Sequence, residues 1–316
     1  MPLLRHSEMM RILGCVVLLA GCTPPARPTF SLATGNPSGI YYPLGGGLAS
    51  LWSKHLPEVN IKAEVTAASV TNLIQIAKHE SEAAFAQADA LAEAIHGGDR
   101  FPEPLPIATV ARLYPNLVHL VSVEQSGIRS VQDLRGKRVS VGAPGSGNAV
   151  TTWNILAALG IGKEDFDFRQ LNYTETVNAL KDGTIDAGFI SGGIGTAAVV
   201  ELALSRPLRL VAFSDEEIAV VHGRVPAYTG FRVPPGVYKG VEEPVLTPSL
   251  WNMLVVHQDM DPDLVYRLLD VLFRYRKELE GISKVARYIT LETARDVGEF
   301  PLHPGAQRFY RDSLTH

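Results

Sequence analysis

Apolar and polar positions follow two different periods along most of the chain. Short runs in residues 30–33, 59–65 and 83–86 predict strands, and the stretches at 41–55 and 70–78 have the apolar spacing of amphipathic helices. A further helix is predicted at residues 88–95, and further strands at 106–113 and 117–123. Strands that alternate with helices of this length indicate a parallel sheet with helices on its faces.

A second unit repeats this alternation. Its predicted strands are residues 138–141, 166–171, 186–190 and 208–213, and its predicted helices are residues 149–159, 173–181 and 195–204. Residues 224–248 are rich in Pro, Gly and Tyr and predict irregular structure, followed by a strand at 250–257. Asp261 and Pro262 then begin a long amphipathic helix that is predicted to end near residue 279. A helical segment after two α/β units indicates that the chain returns to its first unit, which predicts two lobes with a cleft between them.

The N-terminus has the pattern of an export signal. Arg5 and Arg11 precede nine apolar residues at 12–20, a run shorter than the roughly 20 residues of a membrane-spanning helix. Residues 19–22 read Leu-Ala-Gly-Cys, which resembles a bacterial lipobox and predicts a signal peptide over 1–21 with lipidation at Cys22. An ordinary signal with a coincidental cysteine is the alternative, and Met10 is an alternative start. Residues 22–28 are Pro-rich and predict a tether.

Cysteine content and charge narrow the function classes. The chain of 316 residues has two cysteines, Cys15 inside the signal and Cys22 at its end, so the mature chain has no disulfide, cysteine nucleophile or thiolate metal site. The formal net charge is −4 and no Lys/Arg cluster stands out. Nucleic acid is therefore not an expected partner, because affinity for it depends on neutralising phosphates.

Two glycine-rich junctions between a predicted strand and a predicted helix, at residues 34–42 and 142–148, are candidate binding sites. Glycine lets a ligand approach the backbone, and a helix N-terminus with free N–H groups favours anions. The alternative for either junction alone is a tight turn with a Ser or Asn cap. One junction in each unit predicts that a small anion is held from both sides of the cleft.

Known nucleotide-binding, catalytic and zinc-binding motifs are incomplete in this sequence, because required residue types are missing. Residues 142–147 have the glycine gap of a P-loop, but Asn148 and Ala149 follow where Gly-Lys-Ser/Thr is required. No Gly-x-Ser-x-Gly elbow surrounds Ser38, Ser146 or Ser191. His79-Glu80 starts a zinc-helix pattern, but Ala83 stands at the second His position. No catalytic residue, metal or cofactor is expected from the sequence.

Several short motifs, taken in order, resemble the TAXI group of solute-binding proteins, the receptors of TRAP (tripartite ATP-independent periplasmic) transporters. These are residues 41–46, 69–72 followed by 86–89, 134–142 running into 145–147, 180–183 with 186–187, and 301–306. The resemblance covers the chain from about residue 30 to its end.

This resemblance implies an α/β periplasmic-binding-protein fold of the second type, with a hinged cleft between two lobes. Lobe I is expected to comprise residues 29–118 plus 252–316, and lobe II residues 119–251. It also implies a small carboxylate ligand such as glutamate, glutamine or 2-oxoglutarate, and a TRAP permease with fused small and large subunits as membrane partner. The protein is expected to be a periplasmic, lipid-anchored monomer without enzymatic activity.

Site residues carried over from the resemblance come from both lobes. Those in the first are Gly39, Tyr41, Asn72 and Gln87, and those in the second are Ser146, Gly147 and Asn148, with Ser191 or Gly193 at the next strand end. Ser38, which stands where the family usually has a glycine, is added as a further candidate because its hydroxyl can donate. A freestanding ligand sensor that reports to a membrane signalling protein is the alternative function. An enzyme on the same fold is a further alternative, since fold alone does not decide function.

Overall fold

The computed structural model describes residues 27–314. The predicted signal peptide, Cys22 and most of the predicted tether lie outside the described residues. Within residues 27–314, no helix is both long enough and apolar enough to cross a membrane.

The described chain forms one mixed sheet with helices packed on it. Its strands are β1 Thr29–Ala33, β2 Asn60–Glu64, β3 Ala83–Gln87, β4 Ile107–Val123, β5 Arg138–Ser140, β6 Asp167–Arg169, β7 Ala187–Gly192, β8 Leu208–Leu210, β9 Thr229–Val233 and β10 Val245–His257. Its α-helices are α1 Tyr41–His55, α2 Ser69–Ala77, α3 Ala88–His96, α4 Gly147–Ala158, α5 Tyr173–Lys181, α6 Ala197–Ser205, α7 Asp215–Arg224, α8 Pro262–Arg274, α9 Arg276–Ile282, α10 Leu291–Arg295 and α11 Pro304–Ser313.

The strand order divides the sheet into two halves around a central pair. The order is β2-β1-β3-β10-β4-β7-β5-β6, with β8 paired to β4 and β9 paired to β10. The first half, β1 to β3, has parallel pairs. The second half contains the parallel pairs of β5 with β6 and β7. The long strands β4 and β10 pair antiparallel with each other and reach into both halves.

Burial follows the same division. Two apolar clusters are built mainly from residues 30–114 and 251–310, and two others mainly from residues 117–250. Val150 of α4 is an exception, because it packs into a cluster of the first half. Each half therefore has its own core, and an apolar contact joins the two.

Three predicted elements differ from the observed ones. The predicted strands at 106–113 and 117–123 are the single strand β4, in which Pro115 is accommodated beside irregular pairing with β10 around Trp251. The helix predicted to end near 279 stops at Arg274, and α9 begins after Tyr275. The segment at 224–248 contains β9, which pairs with the start of β10. In the first and third cases, pairing with β10 decides the local structure.

His119 is fully buried in β4 and uses both ring nitrogens. Its Nδ1 lies 2.9 Å from the Ile190 carbonyl oxygen, and Nε2 lies 2.8 Å from the Tyr238 hydroxyl. The carbonyl can only accept, so Nδ1 donates to it and Nε2 accepts from the hydroxyl. Burial lowers the pKa of His119 from 6.5 to about 4. The ring is therefore neutral at physiological pH.

This environment predicts a pH-dependent contribution to stability. The unfolded chain binds a proton at His119 near pH 6.5, whereas the folded chain resists it until about pH 4. We expect the stability linked to this residue to be complete above pH 6.5 and to decrease by about 3 kcal/mol as the pH falls toward 4. Denaturant unfolding of the parent and of His119→Gln between pH 4 and 8 measures this. The free energy of unfolding of the variant should depend less steeply on pH than that of the parent. Equal slopes would contradict the lowered pKa of His119.

Candidate functional site

A cavity of about 270 Å³ lies between the two halves, beside the carboxyl ends of β1, β3, β5 and β7. Ligands of open α/β sheets bind at such strand ends. The residues that line it are Gly35, Asn36, Gly39, Ile40, Tyr41, Val65, Thr66, Ala67, Ala68, Gln87, Tyr114, Asn116, Ala143, Ser146, Asn148, Asn172, Tyr173, Ser191 and Gly192. They come from both halves and from β4.

Five helices begin at the wall of this cavity. The residues that precede their first turns, and that line the cavity, are Ile40 of α1, Ala68 of α2, Gln87 of α3, Ser146 of α4 and Asn172 of α5. The first N–H groups of a helix have no partner within it, and the helix dipole makes that end positive. The cavity therefore lies in a positive field that arises from the backbone.

Charged side chains are absent from the described cavity wall. Its lining residues include no Asp, Glu, Lys, Arg or His. A guanidinium or ammonium group for pairing with an anion is therefore not provided, and neither is a carboxylate for pairing with a cation. Oriented backbone N–H groups and neutral polar side chains are what the wall offers to a ligand.

The turn after β1 is shaped by Asn36 and brings α1 to the cavity. Asn36 Oδ1 accepts hydrogen bonds from the Ser38 amide at 2.9 Å and the Ser38 hydroxyl at 2.6 Å. The same hydroxyl lies 3.2 Å from Thr174 Oγ1 in the second half. Ser38 is not among the lining residues, whereas Gly39 is. A Cβ on Gly39 would lie 3.2 Å from the Tyr173 ring, so the missing side chain allows the two halves to approach.

Asn72 is fully buried behind the cavity wall and does not line it. Its Nδ2 lies 2.8 Å from the carbonyl oxygens of Thr34 and Phe85, and 3.3 Å from that of Ala33. Its Oδ1 accepts from Thr66 Oγ1 at 2.5 Å. The side chain joins α2 to β1 and β3, so the structure gives Asn72 a positioning role in place of the expected ligand contact.

The second junction is likewise held by its own side chains. Ser146 Oγ donates to the Ala143 carbonyl at 2.6 Å and accepts from the Ala149 amide at 3.1 Å, which makes it the N-cap of α4. Asn148 Nδ2 donates to the Phe189 carbonyl at 2.8 Å, and its Oδ1 accepts from the Ser191 amide at 2.9 Å. Both residues line the cavity, but these bonds occupy their polar atoms in fixing α4 against β7.

Gln87 connects the two halves across the cavity floor. Its Nε2 donates to Ser191 Oγ at 3.0 Å, and its Oε1 lies 2.9 Å from Thr151 Oγ1. Thr151 Oγ1 also lies 2.7 Å from Asp89 Oδ2, which accepts from the Tyr228 hydroxyl at 2.5 Å. Burial raises the pKa of Asp89 above its usual value. The halves are therefore in contact through a buried polar network.

Gly147 and Gly193 do not line the cavity, yet both allow close packing next to it. A Cβ on Gly147 would lie within 3.0 Å of Ser69 Oγ and of Gln87 Oε1 in the first half. A Cβ on Gly193 would lie 3.1 Å from the Tyr114 ring and 2.6 Å from Val285. Both glycines therefore shape the site by leaving room for neighbours.

Tyr114 and Asn116 are lining residues that sequence reasoning missed. Each is 1% exposed, and neither the Tyr114 hydroxyl nor Asn116 Nδ2 has a hydrogen-bond partner within the described chain. Burial raises the pKa of Tyr114 well above 10, so its hydroxyl keeps its proton. In the sequence, residues 114–116 interrupt the apolar pattern and predict a break between two strands, although the structure continues one strand through them.

Tyrosine hydroxyls elsewhere on the wall already have partners. The Tyr41 hydroxyl donates to Asn252 Oδ1 at 2.6 Å, and the Tyr173 hydroxyl donates to the Ser191 carbonyl. Burial raises the pKa of Tyr173 to about 12. Of the ten predicted ligand residues, six line the cavity, namely Gly39, Tyr41, Gln87, Ser146, Asn148 and Ser191, and four do not, namely Ser38, Asn72, Gly147 and Gly193.

The close approach at Gly147 predicts a destabilising effect of the smallest side chain. Gly147→Ala places a methyl group within 3.0 Å of Ser69 and Gln87, and we expect it to lower the free energy of unfolding by about 1–3 kcal/mol. Gly46→Ala is the matched control, because a Cβ on Gly46 in α1 meets nothing within 4 Å. Denaturant unfolding compares the two variants. A Gly147→Ala protein as stable as the Gly46→Ala protein would contradict this packing.

Solved structures share this fold at low sequence identity. MatC from Rhodopseudomonas palustris, with bound malate, is 13% identical with a TM-score of 0.57, over 92% of this chain and 97% of that chain. PhnD1 from Prochlorococcus marinus, in complex with methylphosphonate, is 14% identical with a TM-score of 0.54, over 83% and 90%. The periplasmic aliphatic sulphonate binding protein SsuA from Escherichia coli is 14% identical with a TM-score of 0.50, over 90% and 83%.

These similarities confirm the predicted α/β fold of periplasmic solute-binding proteins. Membership of the TAXI group stays a prediction, since the matching family model has a different description. That model, the NMT1-like family, matches residues 32–313. The chain therefore belongs to the NMT1-like family.

Proposed function

We propose that this protein is an extracytoplasmic solute receptor that captures a small organic anion between its two halves for delivery to a membrane permease. The observation that carries the proposal is the cavity wall, where five helices begin and no charged side chain of the described chain is present. Partly positive N–H groups suit a carboxylate, and bonds to an anion gain strength where water is excluded.

The similar structures support an anionic ligand. MatC holds malate, PhnD1 holds methylphosphonate, and SsuA is an aliphatic sulphonate binding protein. Malate, methylphosphonate and sulphonates are all small anions. For this chain we propose a carboxylate, the ligand class that the family resemblance implies.

The proposed capture step is a hinge closure of two lobes, residues 29–118 plus 252–316 and residues 119–251. Two features support it: each half has its own apolar clusters, and the connection between the halves includes the long strands β4 and β10. Bonds across the cleft, such as that from the Thr71 amide to the Gly145 carbonyl at 3.2 Å, form when the lobes approach. Hinge closure around a ligand is a common response of such folds.

The location and partner follow from the sequence motifs. We propose that Cys22 carries a lipid, that residues 22–28 hold the body near a periplasmic membrane surface, and that a TRAP permease receives the ligand, as in the TAXI group. No acid–base or nucleophile pair stands among the described lining residues, so we propose a binding protein and not an enzyme.

Thermal unfolding of the purified protein with a panel of solutes tests this function. The panel contains mono- and dicarboxylates, a phosphonate, a sulphonate, amino acids and neutral sugars. A ligand at about 100 times its dissociation constant adds about 2.7 kcal/mol to the stability, so we expect a clear rise of the midpoint with one class of carboxylates.

Two outcomes would count against the proposal. A midpoint that rises with a neutral sugar but with no anion would mean that the junctions are turns and not anion sites. Conversion of a bound solute to a product, measured by chromatography, would favour the enzyme alternative.

A further inference from the structure

We propose that Tyr114 and Asn116 determine the ligand class, and that the ligand is a carboxylate that carries a second oxygen acceptor and no amine. Oxo acids, hydroxy acids and dicarboxylates belong to this class, whereas α-amino acids do not. This inference rests on the proposed function, since it concerns the same cavity, and it narrows the ligand set that the family resemblance implies.

The first argument is the geometry of the pair. Tyr114 and Asn116 lie on either side of Pro115 in β4, beside the irregular pairing of β4 with β10. Both residues line the cavity, both are 1% exposed, and the Tyr114 hydroxyl and Asn116 Nδ2 have no partner within the described chain. A buried donor that is left unpaired costs about 1–3 kcal/mol, so a ligand atom that accepts from either group recovers that energy.

The second argument is the kind of group that the pair offers. An amide NH₂ can only donate, and the raised pKa of Tyr114 keeps its hydroxyl protonated. Two donors without a partner within the described chain match a carbonyl, hydroxyl or carboxylate oxygen of a ligand. An ammonium group at the same place would meet the amide donor, and the acceptors of the pair, the Asn116 amide oxygen and the Tyr114 hydroxyl oxygen, carry no net charge to compensate it.

The third argument is charge. A buried ammonium needs a counter-charge or full hydrogen bonding, and no carboxylate is present among the described lining residues. Asp89 lies two residues after Gln87 in the chain, but its oxygens accept from the Tyr228 hydroxyl at 2.5 Å, the Thr151 hydroxyl at 2.7 Å and the Ala90 amide at 2.7 Å. That carboxylate is occupied by partners of its own, so the helix N-termini attract the ligand's carboxylate while nothing compensates an amine.

Matched pairs of ligands test this by isothermal titration calorimetry on the purified protein. Each pair differs in the group at C2: 2-oxoglutarate with L-glutamate, L-malate with L-aspartate, and pyruvate with L-alanine. We expect the member without an amine to bind roughly a hundredfold or more tightly in the pair that contains the best ligand.

Variants separate the role of the pair from general effects on the fold. Tyr114→Phe should weaken binding of the best oxo or hydroxy acid by roughly tenfold. Tyr310→Phe is the matched control, because that buried hydroxyl donates to the Val110 carbonyl at 3.0 Å and is not part of the cavity wall. Asn116→Asp adds a carboxylate to the wall, and we expect it to shift the preference toward the amine-bearing member by tenfold or more.

The results distinguish failure of this inference from failure of the proposed receptor function. If an amino acid binds as tightly as its oxo or hydroxy partner, or if Tyr114→Phe changes affinity no more than Tyr310→Phe, the inference fails and the receptor function stands. If no member of any pair binds, the small-carboxylate function and the inference fail together. A higher affinity of the Asn116→Asp variant for the amine-bearing ligand supports the inference even if Tyr114→Phe folds poorly.

Discussion

The antiparallel pairing of β4 with β10 is the interaction on which the remaining structure depends. β3 adds to β10 on one side and β7 adds to β4 on the other, so both halves of the sheet are attached to this pair. Pro115 cannot donate to the ladder, and the pairing is irregular between Trp251 and Met253. Such interruptions bend strands and redirect side chains. Tyr114 and Asn116, on either side of Pro115, each carry a buried donor that has no partner within the described chain.

Side chains and backbone have different roles in the cavity wall. Asn72, Gln87, Ser146 and Asn148 look like ligand residues in the sequence, but their polar atoms hold helices and strands in place. Because these side chains fix the helix N-termini at the cavity wall, the positive ends of the helix dipoles are in place before a ligand arrives. A preorganised set of donors loses little entropy when a ligand arrives.

The absence of charged side chains from the described wall has an energetic reason. A lone buried Arg or Lys would be strongly desolvated whenever the cavity holds no anion. Helix N-termini supply positive potential as partial charges that are built into the backbone, which avoids that cost. The same neutral wall is the basis of the selectivity that we propose, because it offers nothing to compensate a positively charged group on the ligand.

The local pattern of the sequence was sufficient for the fold class, and it also placed a binding site at the strand–helix junctions, which stays a prediction. Period and spacing located most strands and helices, and glycine-rich junctions marked two of the five helix N-termini that line the cavity. These features are local, since turn residues and amphipathic spacing act within a few positions. The junction of β3 with α3 was likewise found through Gln87, although its side chain binds protein partners.

What each side chain does was decided by the tertiary structure. Asn72 bonds to carbonyl groups of β1 and β3, and Gln87 meets Ser191 from the other half, so their polar atoms are used by residues distant in the sequence. The Tyr114 hydroxyl and Asn116 Nδ2 show the opposite condition, since neither has a hydrogen-bond partner among residues 27–314. The sequence by itself located, to within about two residues, where the five helices at the cavity begin, because capping and turn formation are local. Which polar groups stay free for a ligand depends on how two halves meet across the cleft, and no short-range pattern contains that information.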